Sequence, residues 1–149
     1  MATTVPKTTF TCKITESVVL NGQNQQVITQ LTIPNVTDYS HRIMSVATTA
    51  TALLTLAAAD AGGTVDKTRM QYVRLTNLDD TNNIQLTFTL TSNTDTYEVV
   101  LGPKKSHMLT HKQGDTTTGG AASTLEDLVS IKGKASTAAC DLEIYTVST

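Results

Sequence analysis

Residues 84–90, with the sequence IQLTFTL, alternate apolar and polar side chains without a break. Because successive side chains of a β-strand point to opposite faces, this pattern predicts a strand with one buried face. The buried face would carry Ile84, Leu86, Phe88 and Leu90. Threonine suits the other face, since β-branched side chains are stiff and pack well on a pleated surface. The stretch therefore predicts a β-rich fold.

The same alternation continues on both sides of this strand. It predicts three neighbouring strands, over residues 72–76, 97–101 and 106–110. The connections are short and rich in turn-forming residues, namely residues 77–83, residues 92–95 and Gly102-Pro103. Strands joined in this way usually pair in chain order, so we expect a four-stranded antiparallel meander.

The N-terminal region predicts a β-hairpin. Residues 10–14 alternate, and Asn21-Gly22 favours a two-residue turn because both residues tolerate positive φ. Pro34 is expected to end the return strand because proline has no N–H to donate. Before that residue, the return strand would place three apolar side chains on one face: Val27, Leu31 and Ile33.

The remaining segments complete an all-β prediction. Residues 128–134 and 140–147 are expected to form a final pair of strands, preceded by a loop over residues 111–123. The sequence leaves two alternatives for residues 47–61, an extended segment or a helix, because Ala and Leu favour a helix while Thr interrupts it. We predict an antiparallel, jelly-roll-like β-sandwich of eight to ten short strands. It would form one domain over residues 1–149, with an N-terminal arm of about residues 1–9.

The composition restricts the classes of partner. Thirty of the 149 residues are Thr, only 16% are charged, and the net charge is −2. Such a balance provides no general field that attracts phosphates, so we expect no nucleic acid partner. No apolar run approaches the roughly 20 residues of a transmembrane helix, so we expect no membrane partner either.

Two groups of residues could hold a metal ion, and both have a simpler interpretation. His107, His111 and Asp115 could be ligands, but solvated histidines at a strand edge are favoured. Asp79 and Asp80 could offer oxygen ligands to calcium, but the segment lacks the Gly and Glu of an EF-hand loop. Turn chemistry explains these two aspartates, so no metal is expected.

Catalytic signatures are also missing from the sequence. It contains no G-x-S-x-G, no phosphate-binding glycine loop and no H-E-x-x-H. Cys12 and Cys140 are expected to be buried free thiols, with a bridge between the first and last strands as the alternative. We therefore expect no enzymatic activity and no cofactor.

Three segments are predicted to contact partners: the N-terminal arm, the turn before residue 106 and the loop over residues 111–123. The second and third contain the only concentration of basic residues, which is either solvated surface or a site for an acidic protein. The predicted contact residues are Thr3, Thr4, Lys7, Lys104, Lys105, His111, Lys112, Thr116, Thr117 and Thr118.

Three segments resemble small structural proteins of tailed bacteriophages. Residues 72–82 (YVRLTNLDDTN) resemble the strand, T-N-L-D and strand segment of those proteins. Residues 99–109 (VVLGPKKSHML) look like their unit of apolar strand, Gly turn, Ser and apolar strand. Residues 135–144 (ASTAACDLEI) are similar to their final strand. The resemblance covers roughly half the chain and implies a β-sandwich virion protein, of a kind that often forms trimers or other symmetric oligomers.

The resemblance implies a non-enzymatic capsid decoration (cement) protein that stabilises a phage head by bridging capsid subunits. Its partners would be the major capsid protein, other virion subunits and further copies of itself, in a virion assembled in the host cytoplasm. The alternative is a tail or fibre module that recognises a host surface glycan, for which exposed tyrosines near the loops would be the distinguishing feature. A cellular β-sandwich adaptor is a third possibility.

Overall fold

A computed structural model describes residues 6–57, 64–91, 95–114 and 125–149 of the chain. These residues form twelve strands rather than eight to ten, and none of them is helical. The strands are β1 (Thr8–Leu20), β2 (Gln23–Val36), β3 (Asp38–Val46), β4 (Thr51–Ala57), β5 (Val65–Asp66), β6 (Met70–Asn77), β7 (Ile84–Leu90), β8 (Thr96–Leu101), β9 (Ser106–Leu109), β10 (Gln113–Gly114), β11 (Glu126–Ala135) and β12 (Cys140–Ser148). Within the described ranges, no helix is long and apolar enough to cross a membrane.

Two sheets pack face to face and confirm the predicted all-β sandwich. The larger sheet has the order β5-β4-β11-β7-β8, with β10 also paired to β11, and the smaller has the order β3-β12-β6-β9. All described strand pairs are antiparallel except the short β4–β5 pair. β1 and β2 form a separate two-stranded sheet.

The core lies between the two large sheets. Phe88 and Ile131 from the larger sheet meet Leu75 and Ile144 from the smaller one, and all four are at most 1% exposed. The predicted buried row of β7 is confirmed, because its apolar side chains are all buried and its polar ones are partly exposed. Alternation along the sequence therefore identified the face of this strand that packs inward.

The predicted four-stranded meander is wrong. β7 pairs with β8 in the larger sheet, whereas β6 and β9 pair with each other in the smaller one. Buried Asn77 holds both connections that cross between the sheets, since its Nδ2 donates to the carbonyl oxygens of Asn82 at 2.8 Å and of Leu101 and Gly102 at 3.2 Å. The turns thus carry the chain from one sheet to the other instead of reversing it within a sheet.

The predicted final pair of strands is wrong for the same reason. β11 lies between β4 and β7 in the larger sheet, and β12 lies between β3 and β6 in the smaller one. Both strands have an alternating row of buried side chains. These two rows face each other across the core, so the strands pack against each other instead of pairing side by side. Alternation specifies a buried face without specifying the neighbouring strand.

The structure settles two local questions. Within residues 47–61, the segment Thr51–Ala57 is a strand, and residues 58–61 lie outside the described ranges. Pro34 does not end β2, which continues to Val36. The register shifts between Thr8 and Phe10 opposite this part of β2, and an irregular position of this kind accommodates a residue that cannot donate.

Of the predicted arm, residues 1–5 lie outside the described ranges and β1 begins at Thr8.

Candidate assembly surface

The β1–β2 hairpin is the most exposed part of the described structure. Its strands pair from Thr8 opposite Val36 to Leu20 opposite Gln23, and Asn21 and Gly22 close the turn with φ of 49° and 77°. These angles are those of the two-residue turn that the sequence predicts. Every residue from 13 to 30 is exposed. We call residues 13–30 the distal hairpin.

The hairpin has one apolar face, which continues from its root to its tip. Directly paired residues share a face, so the face is defined by alternate residues of both strands. At the root it carries Phe10, Cys12, Leu31 and Ile33, and in the distal hairpin it carries Ile14, Val18, Leu20 and Val27. Val18 is 57% exposed, Leu20 64% and Val27 59%. The opposite face is mainly Thr, Gln, Asn and Lys, but it also exposes Val19 and Ile28.

The hairpin root packs on the outer side of the smaller sheet. Phe10 lies 5.0 Å from the ring of Tyr72 and 5.8 Å from that of Tyr145, and buried Val147 joins the same cluster. Burial raises the pKa of Tyr72 to about 12, and a contact of its hydroxyl with Cys12 Sγ at 3.7 Å contributes. The molecule is therefore three layers thick at this point, with the hairpin as the third layer.

The same side of the smaller sheet, which we call the outer face, extends beyond the hairpin root. Tyr39 stacks on Tyr145 with ring centres 6.4 Å apart, and Tyr39 and Ile43 remain 66% and 59% exposed. Beside them Glu143 accepts hydrogen bonds of 2.8 Å from His41 and Arg74. The bond to His41 and the positive charge of Arg74 lower the pKa of Glu143. A groove of about 240 Å³ separates Arg74 from the hairpin root.

The predicted basic contact residues are not gathered into one site. Lys104 and Lys105 precede β9, while His111 and Lys112 follow it, so the two pairs lie at opposite ends of that strand. Lys104 donates to the Leu78 carbonyl, and Lys112 donates to the Thr68 carbonyl at 2.8 Å. Exposed Lys7 lies just before β1 in the sequence. The predicted contacts Thr3, Thr4, Thr116, Thr117 and Thr118 lie outside the described residues.

His107 lies on the edge strand β9, as predicted, but its side chain faces inward and is only partly exposed, so the predicted solvation is wrong. β9 pairs it with core residue Leu75 and turns its ring toward Phe88, with centres 5.5 Å apart. Its Nε2 is buried without a hydrogen-bond partner among the described residues, and burial lowers its pKa. The described ranges contain no group of three or more His, Cys, Asp and Glu residues placed to hold a metal ion, and Asp115 lies outside them.

Asp79, in the turn before β7, has the structural role that turn chemistry predicts. Asp79 accepts hydrogen bonds from the backbone N–H groups of Thr81 at 2.7 Å and Asn82 at 2.6 Å. These bonds lower the pKa of Asp79. Its carboxylate thus closes the turn.

Both cysteines are free thiols, as predicted, but only Cys140 is buried, whereas Cys12 is partly exposed. Cys140 belongs to the sandwich core, whereas Cys12 lies at the hairpin root on the other side of the smaller sheet. Burial raises the pKa of Cys140. The intervening sheet keeps the first and last strands from forming the alternative bridge.

Three of the four tyrosines are covered to a large degree. Tyr72 is buried, Tyr145 is half-buried under the hairpin root, and Tyr97 stacks on Phe88 with ring centres 4.7 Å apart. Tyr39 is exposed, but it lies on strand β3 and not on a loop. The described tyrosines therefore do not form the cluster at the loops that a glycan site would need.

The distal hairpin was not predicted from the sequence as a candidate surface. The available signal was the pairs Val18-Val19 and Val27-Ile28, because two adjacent apolar residues on a strand occupy both faces. A strand of the sandwich would cover only one of these faces. No protein-family model, curated protein or solved structure matches this chain.

Proposed function

We propose that this protein is a non-enzymatic structural subunit of a virion, and that it decorates a tailed-phage head and bridges neighbouring capsid subunits. The observation that carries the proposal is the distal hairpin, which exposes apolar side chains on both faces. Burying such side chains on a partner is favourable by about 25 cal/mol for each Å² removed from water. A hairpin of this kind suits a protein whose working state is an assembly.

The chemistry of the surface supports the same proposal. Within β1 and β2 the only charged residues are Lys13 and Glu16, and the outward row of β7 carries Thr87 and Thr89. Contacts made by such a surface depend on apolar burial and on neutral hydrogen bonds. Since salt screens only charges, we expect assembly to change little with ionic strength. The virion setting itself comes from the resemblance of three segments to small phage structural proteins.

Copy number on purified virions tests the proposal. Quantitative mass spectrometry would compare this protein with the major capsid protein and with a tail-tube protein, which serve as internal standards. A decoration protein should be present in a fixed, high proportion to the major capsid protein, and cryo-electron microscopy should place it on the outer head surface. Absence from virions would contradict the virion proposal as a whole.

Tail-level copy number would contradict the decoration proposal and favour the alternative, a tail or fibre module that recognises a host glycan. Adsorption of the purified protein to host cells, with competition by surface polysaccharide, would then be the direct measurement.

A further inference from the structure

Two apolar surfaces of this chain remain uncovered in a single molecule. One is the apolar face of the distal hairpin, where Val18 and Val27 are more than half exposed. The other is the part of the outer face around Tyr39 and Ile43, which are also more than half exposed. Because both surfaces are exposed at once, neither covers the other within the molecule.

The hairpin root shows that the two surfaces match. There, the apolar face of the hairpin already covers the outer face, with Phe10 on Tyr72 and Tyr145. The distal hairpin continues the first of these faces, and the stacking of Tyr39 on Tyr145 continues the second. Each uncovered surface therefore continues one side of the contact between the hairpin root and the outer face within the molecule.

The two surfaces are also compatible in size and in chemistry. Glu16 is the only charged residue on the apolar face of the hairpin, and on the outer face Arg74 and His41 are already paired with Glu143, so the contact would be mainly apolar. From Ile14 to Leu20 the hairpin extends about 20 Å at roughly 3.3 Å per residue, and four strands spaced by about 4.8 Å cover a similar width. One distal hairpin is therefore long enough to cover the part of a neighbour's outer face that the neighbour's own hairpin root leaves uncovered.

We propose that the distal hairpin docks on the outer face of a second copy of this chain, with Val18, Leu20 and Val27 covering the region of Tyr39 and Ile43. This proposal names the partner of the hairpin, and its location on a phage head rests on the proposed function. On a phage head, hairpins would link neighbouring decoration subunits to one another. The predicted contacts outside the hairpin would remain available to the capsid.

Analytical ultracentrifugation of the purified full-length chain tests the proposal. The unaltered protein should self-associate, and Val18→Ser with Val27→Ser should weaken association by at least about tenfold, as expected for central apolar contacts. Ile43→Ser should weaken it in the same direction, because it alters the opposite side of the contact. Val100→Ser is the matched control, since Val100 is 68% exposed on β8 of the other sheet. Thermal unfolding of each variant checks that the sandwich is intact.

Three outcomes would overturn the proposal. The first is an unaltered protein that stays monomeric at concentrations up to about 1 mM, and the second is an equal loss of association in Val100→Ser. The third is an Ile43→Ser variant that associates normally while the hairpin variant does not. The last result would show that the hairpin docks elsewhere. A protein that is monomeric in solution but abundant on heads refutes only this inference. A self-associating protein that is absent from virions refutes only the proposed function.

Discussion

Strands β1 and β7 both contain a row of alternate apolar side chains, interrupted in β1 by Glu16, but the two rows have very different surroundings. The apolar row of β7 lies between two sheets, and each of its members is at most 1% exposed. The apolar row of β1 is covered at Phe10 and Cys12 and is uncovered from Ile14 to Leu20. Alternation thus determines that a strand forms and which of its faces is apolar, whereas the rest of the fold determines whether that face finds a partner in the same molecule.

The largest expected difference between the two regions concerns Phe88 and Val18. Phe88→Ala should lower the free energy of unfolding by about 3–5 kcal/mol, because it leaves a cavity between Tyr97 and His107 in the core. Val18→Ala in the distal hairpin should change it by no more than about 0.5 kcal/mol in the monomer, since the side chain is exposed. Urea denaturation of both variants at low protein concentration is the measurement. A comparable loss in Val18→Ala would show that the hairpin and the sandwich unfold as one unit.

Gly133 gives a second, smaller effect within the sandwich. A Cβ at this position would lie 2.8 Å from Leu53 Cδ1 and 3.2 Å from Val46 Cγ1, and both of these side chains are buried. Gly133→Ala should therefore cost about 1–3 kcal/mol through overpacking. The reduced backbone entropy of the unfolded chain would offset part of this. Urea denaturation is again the measurement, and Gly133→Ala equal in stability to the parent would show that the Leu53 and Val46 side chains can move aside at little cost.

A partly buried histidine that contacts the core makes the stability depend on pH. The pKa of His107 is lowered by burial, so below the unfolded-state value of about 6.5 the unfolded chain binds a proton more readily than the folded one. Stability is therefore complete above about pH 6.5 and decreases as the pH falls toward the lower folded-state pKa. We expect His107→Leu to flatten this decrease in denaturation midpoints measured from pH 7.5 to 5. His111→Leu, at an exposed position, is the control and should preserve the decrease in the midpoint. If the midpoint of His107→Leu falls with pH as in the parent, His107 is not the group responsible.

The sequence predicts the strands better than their partners. The row from Ile84 to Leu90 and the Asn21-Gly22 turn were identified correctly because they depend on local backbone and alternation. The pairing of β6 with β9 could not be read from alternation, because it depends on how Asn77 holds two crossing connections.

The candidate surface was missed for a related reason. Val18 and Val27 have the residue types of a core, and only the fold shows that no second sheet covers them. His107 illustrates the opposite case: its position opposite Leu75 on β9 turns a residue that suggested a solvated edge toward the core.

The smallest expected effect comes from Gly22, at the tip of the hairpin. Its φ of 77° disfavours any side chain, although a Cβ there would meet no atom within 4 Å. Gly22→Ala should raise the energy of the turn by about 1 kcal/mol, from the cost of a left-handed conformation. It should nevertheless change the unfolding of the sandwich by less than about 0.5 kcal/mol, because the distal hairpin has few contacts with it. Hydrogen exchange should show faster exchange of the amides in residues 13–30 and unchanged exchange in β7. If exchange also accelerates in β7, the hairpin unfolds together with the sandwich. Strands β1 and β7 would then differ in the burial of their side chains but not in their stability against unfolding.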